Sequence, residues 1–137
     1  NYFLVIGATN SWATNELIFK EAQERGILCN VVDSPEMCTF FVPATFTRGD
    51  LKIAISTNGK SPALAREIRM ELEERYGSEY ETFLDFLGRA REELKRLHPN
   101  DEVKRRAVLE RMVRSDVLDR LRAGEKTKFE EEINRWI

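Results

Sequence analysis

Gly26-Ile27-Leu28-Cys29-Asn30-Val31-Val32-Asp33-Ser34-Pro35 reads as a helix stop, a short apolar strand and a carboxylate in immediate succession. Glycine enters the left-handed conformation that ends a helix without a Cβ penalty. Upstream, Leu17, Ile18 and Ala22 recur at helical spacing and predict a buried stripe on a helix from about Trp12 to Arg25, capped by Asn10 or Ser11. Before that helix, Tyr2-Phe3-Leu4-Val5-Ile6 is a continuous apolar run, the pattern of a strand buried on both faces. A strand, a helix and a second buried strand predict a parallel pair joined by a right-handed crossover.

Parallel strands end on one edge of their sheet. Thr9 and Asn10, in the turn Gly7-Ala8-Thr9-Asn10, are therefore expected beside Asp33 and Ser34. That edge is where open α/β sheets bind ligands. Two strands and one helix do not make a stable sheet alone, so more sheet is expected upstream of Asn1.

Working downstream, Thr39 to Val42 and Leu51 to Ser56 read as the strands of a hairpin, with Thr47-Arg48-Gly49-Asp50 as its turn. Ser61 and Pro62 have the chemistry of an N-cap and a first helical residue. Leu64, Ile68 and Leu72 continue that helix, and Gly77 ends it. Beyond lies helix only. Tyr80, Phe83, Leu84, Leu87, Ala90, Leu94 and Leu97 trace one face; His98-Pro99-Asn100 breaks it. Asp101 caps the next helix, Ser115 starts a short one, and Phe129, Ile133 and Trp136 form a last stripe, read as core or dimer contact.

The chain has 137 residues, 42% hydrophobic and 34% charged, with a formal net charge of −2. That balance gives no general attraction to nucleic acid or anionic membranes. No apolar run reaches the roughly 18 residues of a membrane span. One histidine and two cysteines without a paired motif argue against a metal site and for reduced thiols in a cytoplasmic protein.

Two stretches carry candidate chemistry. Asp33, at a strand end, has the position of a general acid or base whose pKa is raised in a partly closed cleft; an Asx-turn before Pro35 is the plainer reading. Ser56-Thr57-Asn58-Gly59-Lys60-Ser61 opens a helix, where hydroxyls and N–H groups attract anions; an ordinary capped turn is the alternative. Gly7-Ala8-Thr9-Asn10 is a weaker candidate for nucleotide contact, and no Gly-x-Gly-x-x-Gly loop occurs. Lys104, Arg105, Arg106, Arg111 and Arg114 alternate with acids and read as a solvated helix face.

Taken in order, Ala8-Thr9, Asn30-Val31-Val32-Asp33-Ser34-Pro35, Phe40 to Pro43 and Ser56 to Pro62 resemble the precorrin-2 dehydrogenase/sirohydrochlorin ferrochelatase family of sirohaem synthesis. The resemblance covers about Tyr2 to Tyr76. It implies an α/β plus all-α protein: residues 1–35 as the last part of a Rossmann NAD-binding domain, 36–77 as a small α+β dimerisation domain and 78–137 as a helical C-terminal domain. The family's glycine-rich loop would fall upstream of Asn1. NAD-dependent oxidation of precorrin-2 to sirohydrochlorin is the implied activity, with ferrous iron or cobalt as a substrate in members that also chelate. Asp33 falls on the family's acid/base aspartate. Thr9, Asn10 and Asn30 are the implied cofactor contacts. Ser56, Thr57, Asn58, Lys60 and Arg66 are the implied tetrapyrrole contacts, joined by Arg48 and Arg69 as partners for its carboxylates. The family's loop serine falls on Thr57, and Asn58 stands where the family often has glycine. The implied partner is a second copy, in a homodimer. A chelatase or tetrapyrrole-binding protein without redox activity, and a non-catalytic dimeric module, are the competing readings.

Overall fold

The computed structural model of the protein describes residues 2–125 and 128–137. The chain forms two compact units, one of residues up to Thr45 with Ala54–Met70, the other of Phe46–Ile53 with Glu71–Ile137.

The first unit begins with β1 (Leu4–Gly7), α1 (Trp12–Glu24) and β2 (Leu28–Val31). β1 and β2 pair in parallel, with Leu4 opposite Leu28 and Gly7 opposite Val31. Ser11 caps α1 by accepting the Thr14 N–H. At the other end Ile27 N–H bonds the Ala22 carbonyl and Gly26 N–H the Gln23 carbonyl, with Gly26 at φ +62°. This is the paired-bond glycine stop expected from Gly26.

Two expectations fail here. β1 alternates: Val5 and Gly7 face the core, while Leu4 and Ile6 are exposed, as is Leu28 across the ladder. One face of the pair is covered by α1 and the other is open, so the apolar run is not buried on both faces within this chain. Leu17 is also exposed, and the buried stripe of α1 consists of Asn15, Ala22 and partly buried Ile18 and Phe19.

The segment 39–43 is not a strand. Thr39 N–H bonds the Cys29 carbonyl at 2.7 Å, but the Cys29 N–H is taken by the Thr39 hydroxyl at 2.8 Å. A side chain thus occupies the place of a ladder bond, and Pro43 has no N–H to continue one. The hairpin comes later, as β3 (Ala44–Arg48) and β4 (Leu51–Ile55) joined by Gly49 and Asp50. A two-residue connection joins antiparallel strands, and Gly49 supplies the positive φ, +52°. α2 (Pro62–Arg75) follows, with Ser61 Oγ accepting the Leu64 N–H.

The second unit is built on α3 (Glu79–Leu97), α4 (Glu102–Val113), α5 (Val117–Arg122) and α6 (Phe129–Asn134). Its core is Phe83, Phe86, Ala90 and Leu94 of α3 with Val108, Met112, Val117 and Ile133. Phe86, absent from the predicted stripe, is fully buried, so the inward face is rotated toward it and away from Leu84 and Leu97. Each of these large side chains contributes about 1.5–3 kcal/mol by leaving water. Phe129 and Trp136 pack on the same core. The basic face is only partly solvated: Arg105 donates to the His98 and Pro99 carbonyls, closing the end of α3, and Arg111 stacks on Trp136.

Candidate functional site

The carboxyl edge of β1 and β2 carries the first group of candidates. Val32 N–H bonds the Gly7 carbonyl at 2.9 Å, so the turns after both strands leave from one edge. After β1, Thr9 is fastened to α1. Its N–H and hydroxyl donate to Asn15 Oδ1 at 3.3 and 2.8 Å, and Asn15 Nδ2 returns a bond to the Thr9 carbonyl. Asn15 is buried. Gly7 makes room for it: a Cβ there would lie 3.4 Å from Asn15 Oδ1 and 3.2 Å from Val31 Cγ2. The sequence reading missed Asn15, although Ser11, Asn15, Ile18 and Ala22 recur at helical spacing on one face.

After β2, the Ser34 N–H bonds the Val31 carbonyl, closing a tight turn with Asp33 at its third position. Asp33 has φ +59°, a conformation costly for residues other than glycine and least so for Asn and Asp. The Cys38 sulfur fixes this turn. It lies 3.3 Å from the Val31 N and O and 3.2 Å from the Ser34 carbonyl oxygen. Cys29, behind it, is fully buried; burial, then the neighbouring Cys38, push its thiol pKa up. Asp33 itself is exposed, so no cleft of the kind expected closes around it among the described residues. The result is a carboxylate projected to solvent from a rigid turn.

Asn30 and Asn10 complete the edge. The Asn30 amide donates to the Phe40 carbonyl at 2.9 Å, tying the segment after β2 to that strand. Asn10 is exposed.

The second group lies on the loop before α2. Lys60 N–H bonds the Thr57 carbonyl, and Asn58 and Gly59 between them have φ +53° and +75°. This is an Asn-Gly turn of the mirror-image type. The Thr57 hydroxyl donates to the Ser61 carbonyl and accepts the Ser61 N–H, and Ser56 Oγ accepts the Asn58 N–H. The N–H groups of Asn58, Lys60, Ser61 and Leu64 are all bonded within the loop. They do not form the open anion cradle that the sequence suggested.

Phe41 to Ala44 packs against this loop around a cleft of about 300 Å³ that Ser56 and Thr57 also line. A Cβ on Gly59 would sit 2.8 Å from Phe41 Cε1. Asn58, Lys60 and Arg66 are exposed and outside that lining, as is Asp33. Arg48 lies in the other compact unit, where its guanidinium donates to the Thr47 and Glu73 carbonyls and sits over the Phe46 ring. Those bonds compete with the expected carboxylate contact.

Residues 1–44 match the family model described as putative NAD(P)-binding, and residues 48–75 the one described as sirohaem biosynthesis protein, central. The chain is 35% identical over 127 residues to the siroheme synthase of Azotobacter vinelandii. The chain belongs to the sirohaem biosynthesis family. Siroheme synthase 1 of Aeromonas hydrophila is 36% identical over 132 residues. The alignments cover 93% and 96% of this chain and 27% and 28% of those family members, so the chain spans little more than a quarter of their length. Among solved structures, SirC, a precorrin-2 dehydrogenase, matches with a TM-score of 0.78 and 26% identity, covering 97% of this chain and 64% of that one. Among the described residues no helix is long and apolar enough to cross a membrane.

Proposed function

We propose that the protein carrying this chain oxidises precorrin-2 to sirohydrochlorin with NAD, and that Asp33 is its acid/base residue. One observation carries the reading: Asp33 stands in the left-handed conformation on a clamped turn at the carboxyl edge of a parallel pair. Strained non-glycine residues gather at functional sites, where surrounding bonds hold them. The match to an NAD(P)-binding model over the same residues supports a nicotinamide cofactor at that edge.

The residues present suit such a cofactor. Thr9 and Asn30 are held by internal bonds and shape the edge, while exposed Asn10 and the start of α1 face outward for a polar ligand. A nicotinamide bound there would supply the hydride acceptor for oxidation of the tetrapyrrole. Asp33 takes the proton released in the same oxidation, a role that contributes typically about 10²–10⁴-fold in rate. Ser56, Lys60 and Arg66 contact the carboxylated rim of the substrate. Residues 36–77 carry the dimerisation surface and 78–137 form the helical part; the match of residues 48–75 to a central family model supports a middle unit there.

Insertion of ferrous iron is a second reading, favoured by the exposure of Asp33. A carboxylate open to solvent can remove the pyrrole protons that metal insertion displaces, with iron as substrate.

The test uses the full-length protein with precorrin-2 and NAD, following NADH and sirohydrochlorin by absorbance. Both should form together. A wild-type protein that yields neither is not a dehydrogenase of this substrate. Adding ferrous ion afterwards separates chelation from oxidation.

A further inference from the structure

A groove runs between α3 and α4, lined by none of the residues given a role in the proposed function. The two helices are joined by only four residues, His98 to Asp101, which makes them antiparallel neighbours. At one end the groove encloses about 500 Å³ and is lined by five cations, Arg91 and Lys95 of α3 with Arg105 and Arg106 of α4 and Arg114 at its C-cap, against two carboxylates. The adjoining end, about 280 Å³, is apolar, with Leu84, Leu87 and Gly88 of α3 facing Leu109 and Val113 of α4. Arg91, Leu109 and Val113 belong to both ends, so the groove is continuous.

Only part of its charge is spent internally, with Arg105 held by the His98 and Pro99 carbonyls. Arg106 pairs with Glu110 and Lys95 with Glu92. Arg91 and Arg114, one on each wall, hold no carboxylate in an ion pair among the described residues, although Glu92 and Glu110 feel their charge. Its shape is also unexplained by the chain's own packing. Gly88 sits mid-helix, where glycine costs about 1 kcal/mol relative to alanine. A Cβ there would meet nothing within 4 Å, so no contact inside the chain calls for glycine. A bare backbone at that point lets another helix approach closely. The lining positions of α4, 102, 105, 106, 109, 110 and 113, follow the helical repeat and present one wall about 18 Å long.

We propose that this groove docks an acidic amphipathic helix of a partner protein. Its apolar side chains cover Leu84, Leu87, Leu109 and Val113, its backbone passes Gly88, and its carboxylates reach Arg91 and Arg114. This is helix-in-groove recognition with charge setting register and orientation.

The test measures fluorescence anisotropy of a labelled helical peptide carrying leucine and glutamate at helical spacing, titrated with the full-length protein. The same peptide with lysine for glutamate is the control. The acidic peptide should bind, more weakly as salt rises, and the basic one should not. Arg91→Glu combined with Arg114→Glu should weaken binding at least about tenfold, the loss of roughly one well-made charge contact. Gly88→Leu, which favours helix and fills open space, should weaken it without lowering the helical circular dichroism signal or the melting temperature. Equal binding of both peptides, or indifference to the double charge reversal, would overturn the proposal. So would a larger assembly in size-exclusion chromatography that the double reversal dissolves, since the groove would then hold a second copy of the chain.

Discussion

Asn15 and Thr9 are bound to each other in both directions: the Thr9 hydroxyl donates to Asn15 Oδ1 at 2.8 Å, and Asn15 Nδ2 donates to the Thr9 carbonyl at 3.1 Å. The pair fixes the turn after β1 relative to α1, and so sets one side of the carboxyl edge. Asn15 is buried whereas Thr9 is exposed, so loss of Asn15 unties the turn and leaves the polar groups of Thr9 to water.

Asn15→Ala should therefore destabilise the protein by about 0.5–1.5 kcal/mol, the net contribution of a hydrogen bond whose remaining partner can reach water. Urea unfolding of the variant beside wild type measures it. Asn15→Asp keeps the acceptor for Thr9 and removes the donor, and should fall between the two. Equal midpoints for all three would show that the pair holds nothing.

Gly59→Ala should cost about 2 kcal/mol. The residue has φ +75°, and its new methyl would meet the edge of the Phe41 ring at 2.8 Å. Asn58→Gly, at φ +53°, relieves strain at the neighbouring position and should be tolerated. A thermal melt that ranks Gly59→Ala above Asn58→Gly would contradict the turn geometry.

Glu132 gives the helical unit an acid limit. Burial pushes its pKa up, but the ion pair with Arg120, 2.8 Å away, and the charge of Arg135 outweigh burial and hold the carboxyl below its ordinary range. A carboxyl depressed in the folded state stabilises above its unfolded pKa of about 4.3 and loses that contribution as pH falls through the folded value. Glu132→Gln should be less stable than wild type at neutral pH, and the gap should close in acid below about pH 4. Denaturant titrations at a series of pH values check this. A gap that stays constant into acid would exclude the ion pair as its cause.

The sequence carries its local chemistry plainly and its tertiary choices poorly. Gly26, Ser61 with Pro62, and Asp101 each mark a helix end through bonds made within a few residues, and each is found where that chemistry places it. Phe40, Phe41 and Val42 have strand composition, yet the Thr39 hydroxyl takes the bond that a ladder needed. Leu17 and Asn15 exchange the roles that hydropathy assigns them, because Asn15 has a specific partner after β1 and Leu17 faces an uncovered surface. The position of Asp33 after a strand was readable from sequence. Its positive φ and the Cys38 clamp were not, since both arise from a turn closed by a residue further along the chain.

That φ allows a decisive substitution. Asp33→Gly removes the carboxylate while easing the left-handed conformation, so the variant should fold with a stability within about 1 kcal/mol of wild type. Full-length wild type and Asp33→Gly are compared for the rate of sirohydrochlorin formation from precorrin-2 and NAD, with melting temperature as the folding control. If Asp33 is the acid/base residue, the glycine variant melts like wild type and turns over at least about 10²-fold more slowly. A glycine variant that is equally folded and equally fast would show that Asp33 serves its turn alone.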